Sequence, residues 1–269
     1  GHRWGDFSWD SSFTFSANKN EIVELVKDYV HPETGKTYNV DKLELKTDEG
    51  RGFGKAKFIL KEGGTLGDLY THADLKRDIN GNILIDDSGN VTAIDNAGDI
   101  KLGSVLPKAN LAWNNSFSYK GINAGFLLTA RLGGIVYSAT QAYLDLYGVS
   151  ETSAAARDAG GVWVNGRSRV NPQSFYEVVA SQSGLPTYYY SATNLRLQEA
   201  HIGYTIPRRW LGNVCDINVS LVGRNLWMIY CKAPFDPEAV ATTNNYYQGI
   251  DYFMMPSTRN IGFNIKINF

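Results

Sequence analysis

The sequence has few cysteines, no long apolar run and no excess of basic residues, and each of these absences excludes a class of protein. Among 269 residues there are two cysteines, too few for a disulfide-dense scaffold. No apolar run approaches the roughly 18 residues of a membrane-spanning helix. The formal net charge of −1 leaves no basic surface for nucleic acid. The chain opens on Gly1-His-Arg-Trp4, neither an initiator methionine nor a signal peptide, so we expect it to be a piece of a longer protein.

The sequence also lacks the common motifs of catalysis and metal binding. It contains no H-E-x-x-H, G-x-S-x-G, P-loop or G-x-G-x-x-G pattern. Asp78-Ile-Asn-Gly-Asn82 has its glycine too early for an EF-hand loop. His201 lies opposite the apolar parity of its strand, which favours a polar residue of a barrel lumen. We therefore predict no enzymatic activity, no metal site and no cofactor.

The informative feature is the alternation of apolar and polar residues near the end of the chain. From Arg259 to Phe269, every second residue is apolar and the residues between are small or polar. This period of two is that of a β-strand, and about ten such residues cross a bilayer as a tilted barrel strand. A final phenylalanine is also the signal that the outer-membrane barrel assembly machinery reads. The predicted assembly signal is Phe263, Ile265, Ile267 and Phe269.

Similar alternation recurs along the chain. It predicts strands at residues 7–17, 111–119, 122–132, 195–204, 217–227 and 259–269, with a weaker strand at 66–75. The strand at 195–204 changes parity at Gln198-Glu199, which indicates a bulge. Residues 22–30 are compatible with a short helix, and Ser138 to Tyr147 has a helical pattern. The total is about seven strands.

Short and long connections alternate between these strands. The connections at 119–122 and 205–213 are short, whereas those at 133–192 and 230–257 are long and 76–108 is a polar loop. Bacterial outer-membrane barrels have short periplasmic turns and long extracellular loops. The predicted fold is all-β: about seven antiparallel strands of a larger transmembrane β-barrel, with long extracellular loops.

The predicted barrel implies which side chains face lipid or the lumen and how the strands at 7–17 and 259–269 pair. Phe126, Leu128, Phe263, Ile265 and Ile267 should face lipid, and Thr129, Arg131, Asn264 and Lys266 should face the lumen. The strands at 7–17 and 259–269 should not pair with each other, because seven strands do not make a closed bacterial barrel. Each should instead pair with a strand upstream of Gly1. Cys215 and Cys231, at opposite ends of one strand, should not form a disulfide.

Several segments resemble, in order, the C-terminal barrel portion of the SusC/RagA family of TonB-dependent outer-membrane transporters. The segments are Phe7–Asn20, Leu102–Lys108, Asn114–Gly121, Gly133–Tyr143, Asn194–Pro207, Gly223–Leu226, Phe235–Glu238, Met255-Pro256 and the terminal Phe269. The D-x-N-G-D-G run of the family is replaced by Asp95-Asn-Ala-Gly-Asp99.

The resemblance implies that the whole protein imports a bulky nutrient, such as an oligosaccharide or a peptide, across the outer membrane. It also implies a SusD-like surface lipoprotein and the TonB complex as partners. The plug and the TonB-contacting segment of the family are absent from this sequence. Residues 1–269 would then be one C-terminal part of the receptor barrel.

Aromatic residues in the long loops are the candidate substrate-binding residues. They are Tyr188, Tyr189, Tyr190, Tyr246 and Tyr247, whose rings could stack on a sugar or a peptide. The alternative is that they form an interfacial girdle or pack the loops on themselves. Trp113, Tyr119, Tyr204 and Trp210 are expected near the periplasmic strand ends, where a girdle role is favoured.

Two other functions remain open from the sequence. A soluble β-rich carbohydrate-binding module would have a similar composition, but its apolar parity would face a closed core. A passive porin or an adhesin barrel would share the strands and lack the plug.

Overall fold

The main element of the structure is a seven-stranded antiparallel sheet. The structure is a computed structural model that describes residues 1–45, 56–181, 185–240 and 248–269. The strands of this sheet are β1 His2–Trp4, β2 Phe7–Ala17, β3 Ala109–Tyr119, β4 Ile122–Leu132, β5 Asn194–Ile206, β6 Asp216–Cys231 and β7 Asn260–Asn268. Each strand pairs with the next one along the chain, in the order β1 to β7. The predicted all-β, antiparallel fold is confirmed.

The short connections of the main sheet all lie at one end, called here the turn end. Gly5-Asp6 joins β1 to β2, Lys120-Gly121 joins β3 to β4, and residues 207–215 join β5 to β6. Lys120 and Gly121 have φ angles of 46° and 90°, as a type I′ hairpin turn requires. Connections 18–108, 133–193 and 232–259 leave from the opposite end, the loop end. The predicted alternation of short and long connections is confirmed.

Strand β1 of the main sheet was not predicted. His2–Trp4 pairs with Phe7–Trp9, so the neighbour of β2 is within the sequence and is not upstream of Gly1. A strand of three residues is too short to show alternation. Residues 66–75, predicted to be a weak strand, instead form Asp68–Thr71 and Asp74–Leu75 outside the main sheet. Among the described residues, β1 and β7 are its edges, and β2 and β7 do not pair with each other, as expected.

Residues 22–30, whose sequence is compatible with a short helix, do not form one. Val26–Val30 is a strand and pairs with Thr37–Val40. Its β-branched and aromatic residues favour an extended backbone, and Gly35, with a φ angle of 62°, lies in the turn between the two strands. The predicted helix near Ser138–Tyr147 is confirmed as Ala139–Leu146.

The bulge predicted in β5 is present. Leu127 pairs with Glu199 and Leu128 pairs with Leu197, so Gln198 is the extra residue. The Gln198 side chain donates from Nε2 to Oδ1 of Asn225 at 2.9 Å. The bulge changes the parity of β5, and this keeps the apolar residues on both sides of it on the same face of the sheet.

One face of the main sheet is apolar from edge to edge. Residues paired across strands share a face, so each row of partners can be read in order. One apolar row consists of Trp9, Phe117, Ala124, Ile202, Leu221 and Phe263. The next row consists of Trp4, Phe7, Tyr119, Ile122, Tyr204, Val219 and Ile265. His2, opposite Trp9, is a polar exception at the edge, and Ser11 and Asn115 are two others. Ser11 and Asn115 accept hydrogen bonds from the indole N–H groups of Trp113 and Trp9, each at 3.0 Å.

The opposite face of the main sheet is polar. One of its rows consists of Ser8, Ser118, Asn123, Gly203, Ser220 and Asn264. Thr129, Arg131, Asn264 and Lys266 have the parity of this face, whereas Phe126, Leu128, Phe263, Ile265 and Ile267 have the parity of the apolar face. The predicted division between two faces is therefore confirmed.

The described residues leave much of the apolar face uncovered. Phe13, Trp227 and Phe263 have 65%, 61% and 78% of their surface exposed. A soluble sandwich buries this face in its core. No helix within the described residues is long and apolar enough to cross a membrane.

The hydrophobic core lies in the loops. The buried cluster contains no residue of the main sheet and is built from Ala56, Phe58, Leu69, Ala73, Leu75, Val91, Val105, Tyr137, Ala139, Ala142, Val164, Val170, Val179, Ala180, Leu185, Tyr188 and Ile250. We call the described parts of 18–108, 133–193 and 232–259 the loop cap. The loop cap has a packed interior of its own at the loop end of the sheet.

The loop cap contains small sheets and three helices. The helices are α1 Ala139–Leu146, α2 Glu151–Asp158 and α3 Pro172–Ser181, and a 3-10 helix spans Pro186–Tyr188. Its strands, besides those named above, are Lys42–Glu44, Lys57–Lys61, Ala93–Ile94, Ile100–Ser104, Ile135–Ser138, Val162–Val164, Ser168–Val170, Tyr189–Ser191 and Ile250–Asp251. Arg208–Trp210 forms a 3-10 helix at the turn end.

Candidate functional site

Two serines position the first two helices of the loop cap. Ser138 Oγ accepts a hydrogen bond from the Gln141 backbone N–H at 3.0 Å and caps α1. Ser150 Oγ accepts from the Ser153 backbone N–H at 2.9 Å and caps α2. These caps satisfy backbone donors that the first turn of a helix leaves unpaired. Ser138 Oγ also donates to Oδ2 of Asp251 at 2.6 Å, which ties α1 to the segment before β7.

Asp145 joins three parts of the loop cap. Its carboxylate is on α1 and only 4% of the residue is exposed. It accepts hydrogen bonds from Gln141 Nε2 at 2.9 Å, from Tyr188 OH at 3.0 Å and from Ser150 Oγ. All three donors are neutral. The carboxylate therefore holds the helices together without an ion pair from the described residues.

The first three candidate tyrosines differ in exposure. Tyr188 is 1% exposed, and burial together with the nearby Asp145 carboxylate raises the pKa of its hydroxyl far above the ordinary value. Tyr189 packs on Tyr137 with ring centres 4.9 Å apart, and burial raises its pKa. Tyr190 is half-buried and meets Phe235 edge to face at 5.6 Å; burial first, and then Asp145, raises its pKa to about 12. All three hydroxyls are therefore protonated at neutral pH.

Substrate contact by these tyrosines remains a prediction. Tyr188 packs the loops on themselves in this structure, whereas Tyr189 and Tyr190 are only partly buried. Tyr246 and Tyr247 lie outside the described residues.

The loop cap has an exposed aromatic cluster that was not predicted from the sequence. Tyr143, Tyr252 and Phe253 are 40%, 49% and 57% exposed, and their ring centres are 5.3 to 6.3 Å apart. Phe253 has a φ angle of 49°, which a bulky residue adopts only under constraint, and its N–H donates to Thr140 Oγ1 at 2.7 Å. The signal in the sequence was the uncharged run Tyr252 to Pro256.

A concave site lies beside Asp145, between the three helices. This helix cavity has a volume of about 660 Å³, within the range of small-molecule sites. It is lined by Asp145, Leu146, Tyr147, Gly148, Ser153, Arg157, Pro172, Gln173, Tyr176 and Glu177. The helix cavity thus brings a buried carboxylate, two further charged groups and two tyrosines together.

A buried ion pair holds the connection between β6 and β7 against β5. Arg196 Nη2 lies 2.7 Å from Asp236 Oδ1, and the two side chains are 6% and 8% exposed. Ser257 Oγ also donates to Asp236. Burial alone would raise the pKa of Asp236, but the hydrogen bonds from Ser257 and Arg196 outweigh it and hold this pKa below the ordinary value. The pair ties Phe235–Glu238 to the polar face near the loop end.

The remaining predicted residues have defined places. Tyr119, Tyr204 and Trp210 lie at the turn end, with the rings of Tyr204 and Trp210 6.4 Å apart. Trp113 is wrongly placed by the prediction, because it lies within β3 opposite Phe13 and Leu128, nearer the loop end. His201 has the polar parity of β5, opposite Gly125. The proposed assembly signal is exposed: Phe263 78%, Ile265 55%, Ile267 48% and Phe269 87%.

Cysteine and metal chemistry are limited among the described residues. Cys215 and Cys231 are both free thiols, as predicted. Asp99, in the segment that replaces the acidic run of the family, pairs with Lys42 at 2.7 Å. No cluster of three potential metal-ligating side chains occurs in the described part of the chain.

Comparison with known proteins gives relatives over nearly the whole sequence. No family model matches the chain. TonB-dependent receptor P3 of Formosa agariphila is 25% identical over 97% of the chain, and TonB-dependent receptor P26 of the same organism is 24% identical over 99%. The chain covers 27% and 28% of these proteins, so it spans just over a quarter of their length.

Two solved structures match the fold of this chain. The RagAB peptide importer in a closed-closed state matches all of this chain with a TM-score of 0.64 and 16% identity. The RagAB peptide transporter matches with a TM-score of 0.59 and 15% identity. This chain covers 28% of each matched chain. The resemblance to part of a SusC/RagA-like TonB-dependent receptor, predicted from the motifs, is confirmed.

Proposed function

We propose that residues 1–269 are a C-terminal part of the β-barrel of an outer-membrane TonB-dependent transporter of the SusC/RagA type. The observation that carries this proposal is the main sheet itself. Its apolar face is mostly uncovered, its other face is polar, and its three long connections leave from the same end. Lipid on one face and a wet lumen on the other would satisfy both faces.

In this proposal the transporter imports a bulky nutrient, such as an oligosaccharide or a peptide. The loop cap would lie on the outer side of the membrane, where substrate arrives. A SusD-like surface lipoprotein would hold the substrate against it, and the TonB complex would act through the plug and N-terminal regions elsewhere in the same protein. The chain would bind and pass substrate and would make or break no covalent bond.

The proposed site residues are of two kinds. Tyr189 and Tyr190, at the loop end, are proposed to contact substrate, and so are Tyr246 and Tyr247, which are outside the described residues. Tyr188 would support them through Asp145. On β7, Phe263, Ile265, Ile267 and Phe269 are proposed to serve as the assembly signal, which their exposure on one face leaves accessible.

The alternatives have less support. A soluble carbohydrate-binding module would expose this large apolar face to water, which soluble monomers avoid. A passive porin or an adhesin barrel is less favoured because the relatives are named TonB-dependent receptors.

The test uses the full-length protein that contains this chain, expressed in its own host. Membrane fractionation and surface labelling should place it in the outer membrane with residues of 133–193 accessible from outside. Uptake of candidate oligosaccharides and peptides should stop when TonB is removed. Recovery of the protein in the soluble fraction without detergent would contradict the proposal, and TonB-independent uptake would favour a passive barrel.

A further inference from the structure

The carboxylate of Asp145 is unusual because it is buried and has only neutral partners. A buried charge costs free energy unless opposite charge or hydrogen bonds compensate it, and buried carboxylates are usually paired. Gln141, Ser150 and Tyr188 supply three hydrogen bonds, and the described residues supply no ion pair. An ionised carboxylate has about four acceptor positions, so one remains available.

An open space lies beside Asp145. Asp145 lines the helix cavity, whose volume of about 660 Å³ is enough for a sugar unit or a short peptide segment. Glu177 on α3 also lines the cavity and is exposed. Two carboxylates therefore border the same space.

Arg157, the basic residue that lines the helix cavity, does not neutralise the carboxylates of Asp145 and Glu177. Arg157 Nη1 donates to the Gly148 carbonyl oxygen at 2.8 Å, and Arg157 makes no ion pair within the described parts of the chain. The charges lining the cavity are thus two negative and one positive, with the buried one negative. Such a field favours a cationic ligand over a neutral or anionic one.

The tyrosines of the helix cavity fit the same ligand. The buried Tyr176 and the exposed Tyr147 line it, and burial raises the pKa of the Tyr176 hydroxyl, which is therefore neutral at physiological pH. Aromatic rings attract cations through their faces. Gln173 Nε2 donates to Glu177 Oε1 at 2.8 Å. The tyrosine hydroxyls add neutral hydrogen-bonding groups for the rest of the ligand.

We propose that the helix cavity binds the primary ammonium group of a transported substrate, with Asp145 as its counter-ion and Glu177 at the entrance. A peptide supplies this group at its N-terminus or at lysine, and an amino sugar supplies it directly. The inference rests on the proposed function, since it names the substrate chemistry that the loop cap of the transporter selects.

The test is calorimetric titration of the purified full-length protein in detergent. The probes are a lysine-containing tripeptide with blocked termini and a glucosamine disaccharide, each compared with its N-acetylated form. We expect at least one ammonium probe to bind about tenfold more tightly than its acetylated form, which corresponds to about 1.4 kcal/mol. The probe that shows this preference identifies the source of the ammonium group.

Asp145→Asn is the decisive variant. Its side-chain oxygen still accepts from Gln141 and Ser150, and the Tyr188 hydroxyl, which both donates and accepts, rotates to accept from the new amide. The variant should remove the preference for the ammonium form. Glu177→Gln should reduce the preference partly without touching a buried group. Asp158→Asn, on α2 outside the cavity lining, is the matched control and should change nothing.

Two results overturn the proposal. One is equal binding of the ammonium and acetylated forms by the unmodified protein. The other is an intact preference in Asp145→Asn and in Glu177→Gln. Failure of the transport proposal gives a different result. It would appear in the cellular assays as loss of outer-membrane localisation or of TonB dependence, whereas the calorimetric titration of the purified protein could still be carried out.

Discussion

Leu221 on β6 and Phe263 on β7 lie directly opposite each other, and both are exposed, at 54% and 78%. Cross-strand neighbours of this size would normally be buried in a core. Here they continue a row that reaches Trp9 on β2. Lipid contact, as proposed above, would cover this row.

A charge on the apolar face should therefore reduce insertion of the full-length protein. Leu221→Lys is expected to cost about 2–4 kcal/mol near the bilayer centre. Its matched control is Val222→Lys, the next residue, which points to the polar face. The measurement is the amount of heat-modifiable, folded protein in the outer membrane. Equal losses in the two variants would argue against a lipid-facing apolar surface.

The hydrogen bond from Tyr188 to Asp145 should stabilise the loop cap. Tyr188→Phe removes a hydrogen bond to a charged group, which is worth about 1.5–3 kcal/mol. Hydrogen exchange should become faster in α1 and at 186–188. Tyr190→Phe is the control, because no described residue hydrogen-bonds its hydroxyl, and it should have little effect. Unchanged protection in Tyr188→Phe would mean that ring packing alone holds this region.

The Arg196–Asp236 pair should hold the connection between β6 and β7 in place. Arg196→Met leaves a buried carboxylate without its cation, at a cost of about 3–5 kcal/mol. Limited proteolysis should then cut within 232–259. Arg224→Met is the control, since its pair with Glu199 has an arginine side chain that is 66% exposed and should contribute under about 1 kcal/mol. Similar proteolysis of both variants would show that the buried pair stabilises this connection no more than the exposed pair does.

The same pair should give this connection a defined pH dependence. The pKa of Asp236 is below its ordinary value of 3.8, so its stabilising contribution is complete above 3.8. The contribution is lost as the pH falls through the lowered pKa of the folded protein. Protection of 232–240 from proteolysis or exchange should therefore persist to about pH 4 and fall below it, and Asp236→Asn should flatten this profile. Loss of protection between pH 7 and 5 would contradict the assignment.

Much of the main sheet could be predicted because its signal is local. Alternation over ten residues sets the parity of each strand, and Gln198 could be identified as a bulge because the parity changed at that point. His2–Trp4 could not, because three residues carry no period. Val26–Val30 was misassigned because a short apolar segment fits a helix or a strand equally well, and its hairpin partner decided between them.

The candidate sites were harder to predict because they are assembled from distant segments. From the sequence, Tyr188 was predicted to be an exposed loop aromatic. In the structure its hydroxyl donates to Asp145, on another helix, and lies in the interior. Tyr143 and Phe253 are more than a hundred residues apart, and only the contacts of α1 with the segment before β7 bring their rings together.

By itself, the sequence determined six of the seven strands of the main sheet, their two faces, the end from which the long loops leave and the likeness to TonB-dependent receptors. These follow from side-chain periodicity and turn chemistry, which act over a few residues. The tertiary structure decided that the packed core belongs to the loops, that Arg196 meets Asp236, and that Asp145 lines the helix cavity. These depend on burial and on charges brought together from distant segments, and no local pattern encodes them.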